Sequence, residues 1–273
     1  MLVSQHDPKV IFHGGNHVLM SQDRGTSWTE YSPDLTRNDK ATQGPGGGPI
    51  TNEVSENYST ILYLADSAAE KGVLWVGTDD GRLQLTRDDG ANWRDVTPRR
   101  VKDGMFNAIE VSPHDPAVAY VAYTRYKYSD QKPYIYRTQN YGASWRRIDN
   151  GLPDNAFVRV VREDTKRKGL LYAGTERGLF FSTDNGGSWQ SLRLNLPVVP
   201  ITDLRVHNHD LVVATQGRAF WILDDLSPLR ELNGEIETVK AHLFSPKTAK
   251  VFERGGGNGG EGPNPLALSL IHI

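Results

Sequence analysis

Cysteine is absent from all 273 residues. Disulfide frameworks, thiolate-bound zinc and thiol catalysis are therefore excluded, although the absence does not choose a compartment. Blocks of like charge are also missing: 31 Lys and Arg stand against 33 Asp and Glu, for a formal net charge of -2. The basic footprint of a nucleic-acid binder is thus lacking. No apolar run approaches the roughly 18 residues of a membrane span. Met1 to Pro8 lacks the charged and apolar regions of a signal peptide. No segment sustains a 3.6-residue apolar period, so helices should be scarce.

What the chain does contain is a repeat. Ser21-Gln-Asp23-Arg-Gly25-Thr-Ser-Trp28 returns as Thr86-Arg-Asp88-Asp-Gly90-Ala-Asn-Trp93, as Thr138-Gln-Asn140-Tyr-Gly142-Ala-Ser-Trp145 and as Ser182-Thr-Asp184-Asn-Gly186-Gly-Ser-Trp189. The copies start 65, 52 and 44 residues apart, near the roughly 40–50 of a four-stranded propeller blade, with a long insertion in the first interval. The flanks repeat too. Gly72-Val-Leu-Trp-Val-Gly-Thr78 matches Gly169-Leu-Leu-Tyr-Ala-Gly-Thr175, and Val3-Ser-Gln-His-Asp-Pro8 matches Val111-Ser-Pro-His-Asp-Pro116.

Short runs of Val, Ile, Leu, Tyr and Phe between Gly, Asp, Asn and Pro mark four strands per unit. The fourth unit reads as strands over 157–163, 170–175, 179–183 and 188–194. A fifth unit, over 201–223, has lost the Asp turn. The fold class is all-β: a β-propeller of four-stranded antiparallel blades, about five of them visible. Blades are expected over residues 1–252, with an insertion near 32–57. Residues 253–273 read as a Gly/Asn/Pro-rich linker and tail.

The repeated turn has a local logic. The Asp carboxylate accepts hydrogen bonds from backbone N–H groups of its own hairpin. The Gly two positions on supplies positive φ, and the Trp buries a large ring. Asn140 fits, because an amide oxygen can accept the same bonds. Repetition at equivalent turns assigns Asp23, Gly25, Trp28, Asp88, Gly90, Trp93, Asn140, Gly142, Trp145, Asp184, Gly186 and Trp189 to folding, since a catalytic residue needs one location rather than four.

These four boxes, with Trp75-Val-Gly-Thr-Asp-Asp-Gly81, resemble the Asp-box propellers: sialidases, the xyloglucanase family and the sortilin-type propellers. Bacterial sortilin-like, glycosyl-hydrolase-like proteins match more closely through His13-Gly-Gly-Asn16, Gly47-Gly-Pro-Ile-Thr51, Phe157-Val-Arg-Val-Val-Arg-Glu163, Leu196-Pro-Val-Val-Pro200 and Asp210 to Asp225. That likeness covers residues 1–265 and departs at Gln216, where relatives often carry His. It implies a protein of several hundred residues acting in an extracellular or periplasmic setting. The chain is accordingly expected to be a piece of a larger propeller that starts inside a blade.

In a propeller the first strand of each blade lines the channel. The Asp turn and the first loop of the blade share one face, and the second-to-third-strand and blade-to-blade loops share the other. That second face collects Asn16, Asn52, Glu53, Asp79, Asp80, Arg82, Arg125, Lys127, Asp130, Glu176, Arg177 and Arg218 as candidate ligand-binding residues. Asp79-Asp80-Gly81 and Glu176-Arg177-Gly178 are equivalent hairpins, and Asp-Gly is an ordinary tight-turn signal. Gly44-Pro-Gly-Gly-Gly-Pro49 lacks the Lys-Ser/Thr of a phosphate loop. The eight His are scattered, so no metal or cofactor site is expected.

Two functions stay open. One is a non-catalytic propeller that presents its rim to a protein, peptide or glycan. The other is a glycoside hydrolase with two rim carboxylates about 5 to 9 Å apart. Two free acids over a groove lined by exposed aromatics would favour hydrolysis, and a rim without such a pair would favour binding.

Overall fold

The computed structural model describes residues 1–43, 58–99, 101–233 and 236–245. Asn52, Glu53, Gly44–Pro49 and the linker and tail expected over 253–273 lie outside these, as does most of the expected insertion. The described chain folds into five antiparallel sheets, each made of consecutive strands. The first holds β1 (Leu2–Val3), β2 (Ile11–Gly14), β3 (Val18–Ser21) and β4 (Thr29–Glu30). The second holds β5 (Ile61–Asp66), β6 (Leu74–Thr78), β7 (Leu83–Thr86) and β8 (Arg94–Asp95). The third holds β9 (Met105–Val111), β10 (Ala119–Thr124), β11 (Ile135–Thr138) and β12 (Arg146–Arg147). The fourth holds β13 (Val158–Glu163), β14 (Leu171–Thr175), β15 (Gly178–Ser182) and β16 (Gln190–Ser191). The fifth has three strands, β17 (Ile201–His207), β18 (Asp210–Thr215) and β19 (Phe220–Leu223), followed by a short helix α1 (Ser227–Glu231).

These are propeller blades. The innermost strands β5, β9, β13 and β17 pack against one another in sequence order. The second strands β6, β10 and β14 are buried along their whole length, as apolar runs covered on both faces must be. Blade-to-blade approach depends on three glycines, the first being Gly14, where a Cβ would lie 2.7 Å from Cγ2 of Ile61. A Cβ at Gly77 would lie 2.7 Å from the Cβ of Phe106, and one at Gly174 would lie 2.6 Å from Cγ2 of Ile201. The Trp-Val-Gly-Thr and Tyr-Ala-Gly-Thr repeats therefore carry the contact that lets the next inner strand dock.

The outermost strands are shorter than their sequence spacing predicts. Only two residues pair in each of β8, β12 and β16. Past each pair an apolar residue, Val96, Ile148 or Leu192, makes one more backbone bond to the third strand and is buried. Burying that side chain turns the backbone out of the ladder and towards the next blade.

Each inner strand of the second to fifth blades also carries a register shift near its start, at Leu62, Asn107, Arg159 and Thr202. Such bulges re-aim a side chain. Here they stand where the inner strands meet the loop face that bears the candidate rim.

Candidate functional site

The four repeated turns share one hydrogen-bond pattern, in which a hydroxyl has a part that sequence reasoning missed. Ser21, Thr86, Thr138 and Ser182 each donate to Oδ1 of the Asp or Asn two residues on, at 2.7–3.0 Å, and each accept the Gly N–H at 2.7–3.0 Å. Oδ1 also accepts the N–H four residues on, at 2.9 Å in all four copies. The amide of Asn140 donates to Ser144 Oγ at 2.9 Å, where Asp184 Oδ2 instead accepts from Ser188 Oγ at 3.0 Å. The box glycines have φ between 76° and 92°. The hydroxyl two residues before each Asp was the available signal, present in all four copies.

On the opposite face the candidate rim residues fall into pairs that hold loops. Asp79 is buried and accepts from Thr60 N at 2.8 Å and Thr60 Oγ1 at 3.1 Å. Burial pushes its carboxyl up, opposed by the Thr60 bonds. Asp80, also buried, accepts from Thr78 Oγ1 at 2.5 Å and from the Arg37 N–H at 2.7 Å. Asp130 accepts from Arg125 at 2.6 Å and Tyr134 at 2.8 Å, and Glu176 from Arg159 at 2.8 Å. Arg82 pairs with Asp95, Arg177 donates to Asn155 O at 3.2 Å and Asn16 to Asp34 at 3.1 Å. Arg218 is exposed on the β18–β19 turn.

The same face carries an aromatic cluster that the sequence reading did not single out. Tyr126 is 40% and Tyr128 36% exposed, on a helical turn over Tyr126–Tyr128. Tyr126 stacks on Phe157 with ring centroids 5.1 Å apart. Arg125 lies 5.3 Å above the Tyr128 ring and Arg159 5.1 Å above Phe157. Burial, with a hydrogen bond to Tyr128, raises the Tyr58 phenol. Lys127 is exposed between the two tyrosines. Tyr-Lys-Tyr in a loop was the legible signal.

A second polar assembly lies at the other end of the inner strands. Arg162 on β13 is buried and donates to Leu204 O at 2.9 Å, Val161 O at 3.0 Å, Tyr63 Oη at 2.8 Å and Asp203 Oδ1 at 2.8 Å. It lies 3.6 Å from Glu110 Oε2. One guanidinium thus links inner strands of four blades. Glu110 accepts from the Glu163 N–H at 3.2 Å, and burial pushes its carboxyl up to about 7 against the pull of Arg162. A cavity of about 190 Å³ opens beside them. Charged residues in the otherwise apolar Val-Arg-Val-Val-Arg-Glu strand were its trace in the sequence. Among the described residues no group of three or more His, Asp or Glu side chains could hold a metal ion.

No family model matches the chain. Over 163 residues it is 27% identical to vacuolar protein sorting/targeting protein 10 of Penicillium rubens, covering 55% of this chain and 10% of that protein. Among solved structures, the GH74 xyloglucanase from Xanthomonas campestris has a TM-score of 0.60 at 18% identity, over 84% of this chain and 37% of that one. An ancestral GH74 enzyme has 0.54 at 18%, over 77% and 26%. The extracellular domain of a putative one-component system from B. thetaiotaomicron has 0.51 at 17%, over 79% and 25%. The chain spans about a tenth of the length of the curated relative it matches. At these identities the structural likeness speaks for fold. The chain is a β-propeller protein.

Proposed function

We propose that these blades form a binding propeller whose loop rim presents Tyr126, Lys127 and Tyr128 to a protein, peptide or glycan. The observation that carries this reading is the commitment of the rim carboxylates Asp79, Asp80, Asp130 and Glu176, each of which accepts hydrogen bonds that fix a loop. Acids so engaged are poor general acids or bases, because turnover would have to break the loop bonds. Exposed tyrosine rings offer large contact area at low entropic cost. Work outside the cytoplasm goes with this reading, supported by the likeness to a sorting protein and to an extracellular domain.

Hydrolysis of a glycosidic bond is the second reading. Its support is Asp79, whose carboxyl burial raises, the direction a general acid needs. A glycan and peptide array run beside a chromogenic glycoside screen separates the two. Binding that Tyr126→Ala and Tyr128→Ala together abolish, without turnover, is expected. Turnover that Asp79→Asn removes would overturn the binding reading.

A further inference from the structure

We infer that strand β19 is the contact through which two copies of this chain pair edge to edge, antiparallel, about a twofold axis beside Trp221. The inference does not rest on what the rim binds. In each of the other four blades the third strand has an outer neighbour, β4, β8, β12 or β16. Strand β19 is the last of its sheet, and among the described residues no backbone group bonds to its outer edge. An unpaired edge is a template for another strand, which proteins usually blunt with Lys, Pro or a bulge. Phe-Trp-Ile-Leu carries neither charge nor proline, and it pairs with β18 without a register shift.

The same strand is bare on one face. Opposite the small residue near the end of each second strand, Gly14, Gly77, Ala122 or Gly174, stand Val18, Leu83, Ile135 and Leu179, all of them buried. In the fifth blade Ala214 faces Phe220, which is 77% exposed, and Ile222 two residues on is 59% exposed. Two large apolar side chains side by side in water mark an interaction surface.

The order of residues chooses a second copy as the occupant. Successive strand residues point to opposite faces, so Arg218, Phe220, Ile222 and Asp224 form one alternate set, and all four are exposed. Neither Arg218 nor Asp224 has a side-chain hydrogen bond or ion pair among the described residues. With Trp221 placed opposite itself across the axis, Phe220 stands opposite Ile222 of the second copy. Arg218, on the hairpin just outside β19, then stands opposite Asp224 of the second copy. Each pair occurs twice, so the segment is complementary to itself when inverted, as an isologous twofold contact requires. Opposite charges and apolar residues directly opposed stabilise a sheet, whereas like charges so placed destabilise it. Moving the axis to Ile222 would set Phe220 against Asp224, which fixes the register. A ladder this short makes a weak dimer that depends on concentration.

Sedimentation velocity on the whole chain, over a series of concentrations, tests the contact. A monomer–dimer equilibrium with no larger species is expected, because one pairing occupies the edge. Arg218→Asp and Asp224→Arg, each checked for an unchanged circular dichroism melt, should each weaken the dimer about tenfold or more, as two like-charged pairs replace two opposite ones. Mixing the two variants should restore it, since each supplies the charge the other lacks at both contacts. A chain that stays monomeric, a series of larger assemblies, dimerisation unchanged in either variant, or a mixture no tighter than its parts would overturn the inference. Slow hydrogen exchange at Phe220–Leu223 in a monomeric chain would also overturn it, by placing another segment of the same chain on the edge. Should either variant fail to fold, Ile222→Lys at an exposed position takes its place, and undiminished dimerisation in it would equally refute the pairing.

Discussion

Trp189 donates its indole N–H to the carbonyl of Ile148 at 2.6 Å, tying the turn of the fourth blade to the end of the third. Trp145 does the same to Val96 at 2.7 Å, one blade earlier. Trp28, in the first blade, bonds instead to Gly25 of its own turn. Trp93, in the second blade, is different again, its indole N–H buried with no hydrogen-bond partner among the described residues.

That difference sets the cost of losing each ring. Trp189 is 4% exposed and Trp28 37%. Trp189→Ala is expected to destabilise by roughly 3–5 kcal/mol, the range for a buried aromatic. Trp28→Ala should cost about 1 kcal/mol or less, as changes at exposed sites usually do. Urea unfolding of both variants checks this, and equal midpoints would refute the assignment.

Asp184→Ala should lower stability by about 1–3 kcal/mol, since hydrogen bonds from Ser182 Oγ, Ser188 N and Ser188 Oγ are each worth about 1. Asp184→Asn should recover most of the loss, because Asn140 already serves at the equivalent turn. Rim ligand affinity should stay the same in both, as the turn is on the opposite face. Selective loss of binding at an unchanged melting temperature would contradict the structural role.

Arg162→Met should destabilise the fold. It strips Tyr63, Asp203 and Leu204 O of a common donor and leaves the part-buried Glu110 without its cation. A loss of about 1–3 kcal/mol is expected for leaving these part-buried acceptors without their donor. Arg162→Lys should rescue little, because an ammonium cannot reach partners on three strands at once. Differential scanning calorimetry of the two variants reads this directly.

The pH profile of stability should slope in opposite senses at its two ends. Glu110 has its carboxyl raised to about 7 from 4.5, so the folded state holds the proton more tightly. Its penalty is absent below the unfolded value and grows as pH rises towards 7. The turn carboxylates work the other way. Bonds from Ser27 N, Ser27 Oγ and Ser21 Oγ bring Asp23 to about 2, and bonds from Asn92 lower Asp88. Their contribution is present above the ordinary carboxylate value and fades as pH falls through the lowered one. Glu110→Gln should flatten the fall in melting temperature between about pH 4.5 and 7 without touching the acid limb.

The all-β class and the four-strand pattern of the blades were legible because each is local. Within one turn the hydroxyl, Asp and Gly stand within five residues, so Ser182, Asp184 and Gly186 close their hydrogen bonds without help from elsewhere. Alternating apolar runs bounded by turn residues needed only their neighbours to become strands. Tertiary structure decided what those elements do. Asp80 reads as an ordinary tight-turn residue, and only the fold shows that it also accepts from the Arg37 N–H, 43 residues away. Tyr63, Glu110, Arg162 and Asp203 share no motif, and they meet because each falls on an inner strand of a different blade. Charge on those strands could be read from the sequence, but its partners could not, since the distance between blades is set by packing at Gly14, Gly77 and Gly174 rather than by spacing along the chain.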